Sequence, residues 1–457
     1  MRGFTDLSNE IYLEILQYLP PPDLGSFFCV NRHLYALTAI HRMSYQSLKR
    51  RFSTSLCTKP PGSTAKLINS ILADPQIALY VQHYTIDGWR EGWDPGKEVH
   101  GNNMPEHVEY SASDMRQLEL ALRNSEYVYI DEIEDWIERL KVGDEQVLIA
   151  HALTLFPNLT SINFQTPDDL TSWCVKRTIH CIADAERPGG PLAKLISVTI
   201  GASECSDFID PDDIEVITML PSVRIVNAER VGDAYGSFED IVPRIGSNVT
   251  DLNISGGDLA PQRLMLLLQS FESLQSFTYW PTFLSRRVCD FDAFSIVVIL
   301  LLCVQDSLRE LQIRVGSAIE KYMGSLRKFR VLEYLETDTK LLLGDSYSLV
   351  QNFQTSLPPS IREVKLHGKH FNSRALRLHL TSLTESRDTL PNLSNIELIG
   401  TETSGDEAAL LQDLCARANI SLTFVDGGPV ELPIFTKRRV HYAKRQAKKA
   451  LIQRGEL

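Results

Sequence analysis

Residues 308–313 read Leu-Arg-Glu-Leu-Gln-Ile, which is an apolar residue, two spacers, a second apolar residue, one spacer and a third apolar residue. The same pattern recurs along most of the chain, with its first position at Val81, Leu159, Leu195, Val223, Val249, Leu274, Leu308, Leu332, Ile361 and Leu393. From Leu159 onward, successive starts lie 24 to 36 residues apart, which is enough for one strand and one return helix. Helix candidates lie between these starts at 261–268, 294–304 and 407–418. The sequence therefore predicts an α/β fold of parallel strands and return helices over residues 76–430, with an insert at about 87–125.

The first fifty residues predict a separate module of three short helices. Ile11, Ile15 and Leu19 are four residues apart, so one side of a first helix is apolar. The three prolines at 20–22 end that helix, and a second helix can open at Asp23. Three short helices bury little surface by themselves, so the module is expected to complete its burial against another protein or domain.

The order of short motifs in this module resembles an F-box. The module reads Leu-Ser-Asn-Glu-Ile at 7–11, Ile-Leu-Gln-Tyr-Leu at 15–19, Asp-Leu at 23–24 and Val-Asn-Arg-His-Leu at 30–34. The resemblance implies binding to the Skp-type adaptor, and through it to the cullin, of cullin-based ubiquitin ligases. The positions that match the family's adaptor-contacting pattern are Leu7, Ile11, Ile15, Leu16, Leu19, Leu24, Val30 and Leu34. Ser8 stands where the family usually has proline. The alternative is an ordinary helical hairpin at the start of a globular domain.

The repeats resemble an irregular leucine-rich-repeat solenoid, of the kind attached to many fungal F-box proteins. Regular repeats carry Asn or Cys eight residues after the first Leu, but these positions here include Pro167, Ser203 and Lys340. The ladder of such side chains is absent, so we expect uneven repeats. The alternative is a non-solenoid α/β domain whose parallel strands mimic the period. Residues 51–75 are predicted to be a linker helix or loop between the 1–50 module and the repeats.

The polar residues between the apolar positions of each repeat are candidates for binding a target protein. In a stack of repeats these side chains line one surface and are free to vary. The candidates are Glu310, Gln312, Glu333, Glu363 and Lys365 on the strands, and Trp89 and Trp93 in the insert. The alternative for the two tryptophans is that they pin the insert onto the solenoid.

Charge is distributed unevenly along the chain of 457 residues, which carries 46 Lys and Arg against 58 Asp and Glu. The predicted tail, 431–457, holds two basic clusters that resemble a nuclear import signal, namely Lys437, Arg438, Arg439, Lys444, Arg445, Lys448 and Lys449. The same residues could instead form a basic helix that lies on the acidic body. Because that body is acidic, we do not expect nucleic acid to be the main ligand.

The sequence predicts an intracellular protein, cytoplasmic or nuclear, without a membrane span. We find no secretory signal, and the longest apolar run, 294–304, is too short to cross a bilayer and is interpreted as a buried helix. The eight cysteines include no Cys-x-x-Cys pair and are expected to be reduced.

Catalytic motifs are missing from the sequence. Gly344-Asp345-Ser346 is superficially similar to a lipase nucleophile block, but no downstream Asp-x-x-His accompanies it. Cys174, His180 and Cys181 lack zinc-site spacing. We therefore expect a non-catalytic protein without cofactor or metal: a substrate-recognition subunit of an SCF-type (Skp-cullin-F-box) ubiquitin ligase, or alternatively an interaction scaffold that does not direct ubiquitination.

Overall fold

The computed structural model describes residues 7–55, 62–87, 110–166, 173–185, 187, 189–202, 208–232, 246–281, 292–315, 322–344, 352–368, 373–385, 387–400 and 405–426. The chain forms two compact units. The first comprises Met1–Ser203 with Met219–Val223, and the second comprises Glu204–Thr218 with Arg224–Leu457.

The first unit begins with four helices and continues with parallel strands and further helices. Its helices are α1 (Asn9–Tyr18), α2 (Pro21–Phe28), α3 (Arg32–Leu37), α4 (Ala39–Phe52), α5 (Ser63–Ala73), α6 (Ala112–Arg123), α7 (Ile133–Lys141), α8 (Glu145–Leu155) and α9 (Trp173–Ala185), with a 3-10 helix at Pro75–Tyr80. Its strands are β1 (Thr54–Ser55), β2 (His83–Asp87), β3 (Ser161–Thr166) and β4 (Ser197–Ala202). They pair in parallel in chain order.

The second unit repeats a strand and a helical or irregular return. Its strands are β5 (Ile225–Glu229), β6 (Asp251–Gly257), β7 (Ser276–Pro281), β8 (Glu310–Ile313), β9 (Tyr334–Asp338), β10 (Glu363–His367), β11 (Asn395–Ile399) and β12 (Ser421–Val425). Its helices are α10 (Pro211–Thr218), α11 (Pro261–Gln269), α12 (Ala293–Cys303), α13 (Thr339–Leu343), α14 (Phe353–Ser356), α15 (Ser373–Glu385) and α16 (Gly405–Arg417), with a 3-10 helix at Arg387–Thr389. Every strand pairs in parallel with the next one along the chain.

The recurring pattern predicted these strands correctly. Each of its ten starts lies two residues before a strand, from Val81 before β2 to Leu393 before β11. The solenoid-like α/β fold is therefore confirmed. The pattern missed β12 because Asn419, a polar residue with a left-handed backbone (φ 53°), occupies the position two residues before that strand.

Alternation along each strand sends one set of side chains into the core and the other outward. In β10, for example, Val364 and Leu366 are fully buried, whereas Glu363, Lys365 and His367 are half-buried. The pattern's apolar positions are thus the buried ones, which fixes the register of the parallel pairs.

Hydrogen bonds from polar side chains at the start of the repeats link successive turns. The residue before the first apolar position donates to a carbonyl of the preceding turn: Asn158 Nδ2 to Leu79 O (2.8 Å), Ser222 Oγ to Leu192 O (2.9 Å), Ser360 Oγ to Leu332 O (2.8 Å) and Asn392 Nδ2 to Pro359 O (3.0 Å). These bonds satisfy backbone acceptors without the regular Asn or Cys ladder.

Two regions differ from the sequence-based expectation. Residues 51–75 do not only connect the helical module to the repeats. Strand β1 pairs with β2, and α5 buries Leu67, Ile68 and Ile71. The apolar run at 294–304 forms α12, but this helix is only half buried. Phe294, Val298 and Leu302 lie exposed on one side of it, since four-residue spacing places them together away from the core.

Candidate protein-docking surfaces

The N-terminal helices α1–α4 build a small core of their own. Its buried members are Tyr12, Leu16, Phe27, Phe28 and Leu34, with Ile15, Leu19, Leu24, Leu37 and Tyr45 packed partly buried against them. The local sequence explains the turns: Pro21 begins α2, and Asn31 caps α3 by accepting a hydrogen bond from Leu34 N at 2.7 Å.

Residues of helices α1–α4 and of the segments beside them also leave large apolar side chains exposed, and this set is called here the apolar helical surface. It consists of Leu7, Ile11, Tyr18, Val30, Tyr35, Ile40 and Met43. Seven large exposed hydrophobic side chains within residues 7–43 favour a role of this module in binding another protein. Because α1 turns Tyr12 and Leu16 inward, Ile11 is left outward with 42% of its surface exposed.

The eight predicted adaptor-contacting residues therefore separate into three groups. Leu7, Ile11 and Val30 lie exposed on the apolar helical surface, and Ile15, Leu19 and Leu24 are half-buried. Leu16 and Leu34 lie inside the module, where they pack its core rather than face a partner. Sequence spacing alone did not separate them, because both sides of α1 are apolar.

The module is joined to the first strands by aromatic packing and backbone hydrogen bonds. The Tyr45 ring lies 5.7 Å from the Phe28 ring and 5.8 Å from the Tyr80 ring, centroid to centroid. After α4, the Ser53 carbonyl accepts hydrogen bonds from both Gln82 N (3.3 Å) and His83 N (3.1 Å). The apolar helical surface is thus built onto the first unit rather than tethered to it.

The second candidate surface is formed by the outward side chains of β5–β12 and Arg314, called here the strand face. Its acids are Glu229, Asp251, Glu310, Glu336, Asp338, Glu363 and Glu397, and its permanently charged bases are Arg314 and Lys365. The strand face is therefore strongly acidic. Seven carboxylates face outward with two fixed positive charges among them.

Glu336 organises the centre of the strand face. Its Oε1 lies 2.8 Å from His367 Nε2 and 3.7 Å from Arg314 Nη1, and its Oε2 accepts a hydrogen bond from Tyr334 Oη at 2.8 Å. Burial raises the pKa of the Glu336 carboxyl, but the His367 and Tyr334 hydrogen bonds and the Arg314 charge outweigh it and lower that pKa. Burial and the bond to Glu336 raise the pKa of Tyr334. Glu336 is thus held ionised and Tyr334 neutral.

Lys365 is held by its neighbours on the same face. Its Nζ lies 3.3 Å from Glu397 Oε2, 3.7 Å from Glu363 Oε1 and 5.6 Å from the centroid of the Tyr334 ring. Burial lowers the pKa of the Lys365 ammonium, but these carboxylates, Glu397 first, more than compensate and raise it. An ammonium group is therefore stable among these carboxylates and this ring.

Most of the predicted target-binding residues lie on or beside the strand face. Glu310, Gln312, Glu363 and Lys365 point outward from β8 and β10. Glu333 lies just before β9, and its carboxylate forms ion pairs with Arg309 Nη1 at 3.1 Å and with Arg362 Nε at 3.6 Å. Trp89 and Trp93 of the insert and the basic tail residues from Lys437 to Lys449 lie outside the described residues.

The sequence reading missed Tyr334, His367, Arg314, Trp280 and Glu397 as residues of this surface. The two-residue alternation of strands could have identified them. Each lies an even number of residues from a predicted outward position, or from the residue paired with such a position on a neighbouring strand. The candidates predicted from the sequence cover one or two spacer positions in each repeat and do not extend to the end of each strand.

Two cysteines outside these surfaces, Cys174 and Cys415, are buried. Burial raises the pKa of the Cys174 and Cys415 thiols to about 12, so both are protonated at neutral pH. Within the part of the chain that the structure describes, no group of three or more His, Cys, Asp or Glu residues is arranged to hold a metal ion. In the same described ranges, no helix combines the length and apolar character needed to cross a bilayer.

A helical module with exposed apolar side chains, followed by parallel repeats, offers surfaces on which other proteins could bind. Comparison with known families gives the module its identity, because residues 4–46 match the F-box domain. F-box domains bind Skp-type adaptors, so the match supports an adaptor role of the SCF type in general. No curated protein matches the chain.

Proposed function

We propose that this chain is the substrate-recognition subunit of an SCF-type ubiquitin ligase. The F-box would bind the Skp-type adaptor, and through it the cullin, while the leucine-rich-repeat-like body holds a target protein. Ubiquitin transfer would then take place on other subunits, and this chain would supply binding and position. The observation that carries the proposal is the exposure of Leu7, Ile11 and Val30 within the segment that matches the F-box domain.

The strand face supports the second half of the proposal. Its outward residues belong to consecutive repeats in register, so a partner lying across them meets a row of side chains rather than a single pocket. Fixed hydrogen bonds around Glu336 hold part of that row in place before any partner arrives. Preorganised side chains lower the entropy cost of binding.

The proposal is tested by capture of the host's Skp-type adaptor on the full chain. Ile11→Asp combined with Val30→Asp places two charges on the apolar helical surface without entering its core. Loss of an interface hot spot costs about 2 kcal/mol or more, so capture is expected to weaken by about 30-fold or more.

A matched control distinguishes the surface from a general effect of added charge. Ile130→Asp with Leu302→Asp changes two equally apolar, exposed residues elsewhere (89% and 71% exposed) and should capture the adaptor like the unmodified chain. Failure of the folded, unmodified chain to capture any Skp-type adaptor would refute the proposal. Capture without any ubiquitination of proteins bound to the chain would reduce it to an interaction scaffold.

We also propose that the basic tail acts as a nuclear import signal, with the protein distributed between cytoplasm and nucleus. The support is the spacing of two Lys and Arg clusters within 437–449. Replacing Lys444, Arg445, Lys448 and Lys449 by glutamine is expected to shift a fluorescently tagged full chain from nucleus to cytoplasm. An unchanged distribution in imaged host cells would contradict this assignment.

A further inference from the structure

The register of three neighbouring strands places one acidic residue on each side of Tyr334 on the strand face. Tyr334 of β9 is in register with Glu310 of β8 on one side and with Glu363 of β10 on the other. Neighbouring strands lie about 4.8 Å apart, so the backbone positions of Glu310 and Glu363 are the cross-strand neighbours of Tyr334. The three residues are called here the acid–tyrosine–acid set.

The ring is held in one orientation and one protonation state. Its hydroxyl donates to Glu336 Oε2 at 2.8 Å, and burial together with that bond raises the Tyr334 pKa. A fixed neutral phenol flanked by carboxylates attracts a cation in two ways, through the ring face and through the charges beside it.

One side of the acid–tyrosine–acid set already contains a cation from the chain itself. Lys365 Nζ lies 5.6 Å from the Tyr334 ring centroid and 3.7 Å from Glu363 Oε1. On the other side, Glu310 is exposed, and among the described residues its carboxylate receives only a neutral donor, Ser276 Oγ at 3.3 Å. The Glu310 side therefore offers the same ring and a carboxylate whose charge is not balanced by a described base.

The charge of the whole strand face favours the same kind of ligand. Its seven outward acids exceed Arg314 and Lys365, and these two bases are already bound to Glu336 and to Glu363 with Glu397. Arg309 and Arg362 stand at the edge before the strands, where both bind Glu333. A basic segment of a partner would thus meet net negative charge along its length.

We infer that the acid–tyrosine–acid set binds a lysine or arginine side chain, and that the strand face selects a target protein through an exposed basic segment. This inference rests on the proposed function, in which the strand face holds the target, and it adds the chemistry of what is held. The side chain's ammonium or guanidinium group lies against Tyr334 beside Glu310, and neighbouring basic residues extend toward Asp251.

The inference is tested by fluorescence anisotropy of the full chain with a fluorescein-labelled peptide of alternating lysine and serine. The same peptide with glutamate in place of lysine is the control ligand. The lysine peptide should bind, with affinity falling as salt is raised, and the glutamate peptide should not. Glu310→Gln with Glu363→Gln should weaken binding of the lysine peptide by about tenfold, the effect of losing two charge contacts at the surface.

Variants of Tyr334 separate the ring from its hydroxyl. Tyr334→Phe keeps the ring and should bind the lysine peptide nearly as well as the unmodified chain, whereas Tyr334→Leu should bind it several-fold more weakly. A matched control, Glu272→Gln with Asp388→Asn, removes two exposed charges that lie off the strand face and should leave binding unchanged. Equal weakening by this control would overturn the inference, because general acidity would then explain the binding.

Two further results separate this inference from its alternatives. If glutamine at Lys444, Arg445, Lys448 and Lys449 makes the peptide bind more tightly, the chain's own tail occupies the strand face and the inference is wrong. Adaptor capture is measured on the same Glu310 and Glu363 variants and should not change. Loss of peptide binding with intact adaptor capture therefore concerns the strand face alone, and failure of adaptor capture with intact peptide binding concerns the F-box alone.

Discussion

Leu34→Ala should destabilise the F-box by about 2–5 kcal/mol, the range for truncating a buried leucine. Leu34 is fully buried, packs in the core formed with Tyr12, Leu16, Phe27 and Phe28, and lies in a module too small to absorb such a loss. We expect amide hydrogen exchange in α1–α3 to become much faster. The adaptor should then be captured poorly because its binding surface is no longer formed.

The control for this prediction is Leu7→Ala on the same module. Leu7 is 38% exposed, so its truncation should leave the free energy of unfolding within about 0.5 kcal/mol of the unmodified chain. Adaptor capture by Leu7→Ala should weaken without faster exchange. Equal exchange rates in the Leu34 and Leu7 variants would contradict the division of the predicted contact residues into core and surface.

Acid should destabilise the first unit through His151. This side chain in α8 is 4% exposed, and its two ring nitrogens have no hydrogen-bond partner among the described residues. Burial lowers the pKa of His151 from 6.5 to about 4. Because the unfolded chain then binds a proton more readily, the free energy of unfolding falls as pH drops from about 6.5 to 4, by about 3 kcal/mol in total.

Urea denaturation at several pH values measures this contribution. His151→Leu removes the titrating group and should flatten the change in unfolding free energy over that pH window, while above about pH 7 the pH dependence of both proteins should be alike. His41→Gln changes an exposed histidine and should retain the full acid sensitivity. A slope that persists unchanged in His151→Leu would show that carboxylates, not this imidazole, govern the acid response.

The strands could be predicted from sequence because the buried residues of each strand follow a regular spacing of apolar residues. Leu335, Val364 and Ile396 all occupy the fourth position of the pattern, and all are fully buried. Strand β12 could not be found in this way, since Asn419 interrupts the pattern. The bonds of Ser222 and Ser360 to the preceding turn were also not predictable, because serine in a turn is compatible with many partners.

The two docking surfaces were predictable to different degrees. On α1, apolar spacing identified a helix with two apolar sides, but only packing against α2 and α3 decides that Tyr12 lies inward and Ile11 outward. On the strand face, the apolar pattern predicted that Glu310 and Glu363 lie on the outward side of their strands. Their placement on either side of Tyr334 required the strand register, which the sequence of a single repeat does not contain.

The junction between α4 and β1 sets how the F-box can transmit position. Helix α4 ends at Phe52, a buried residue, and β1 begins at Thr54, with Ser53 between them bound through its carbonyl to Gln82 and His83. Rotation of the F-box about Ser53 would require breaking these two hydrogen bonds. An adaptor bound to the F-box would therefore be held in a fixed position relative to β2 of the first unit.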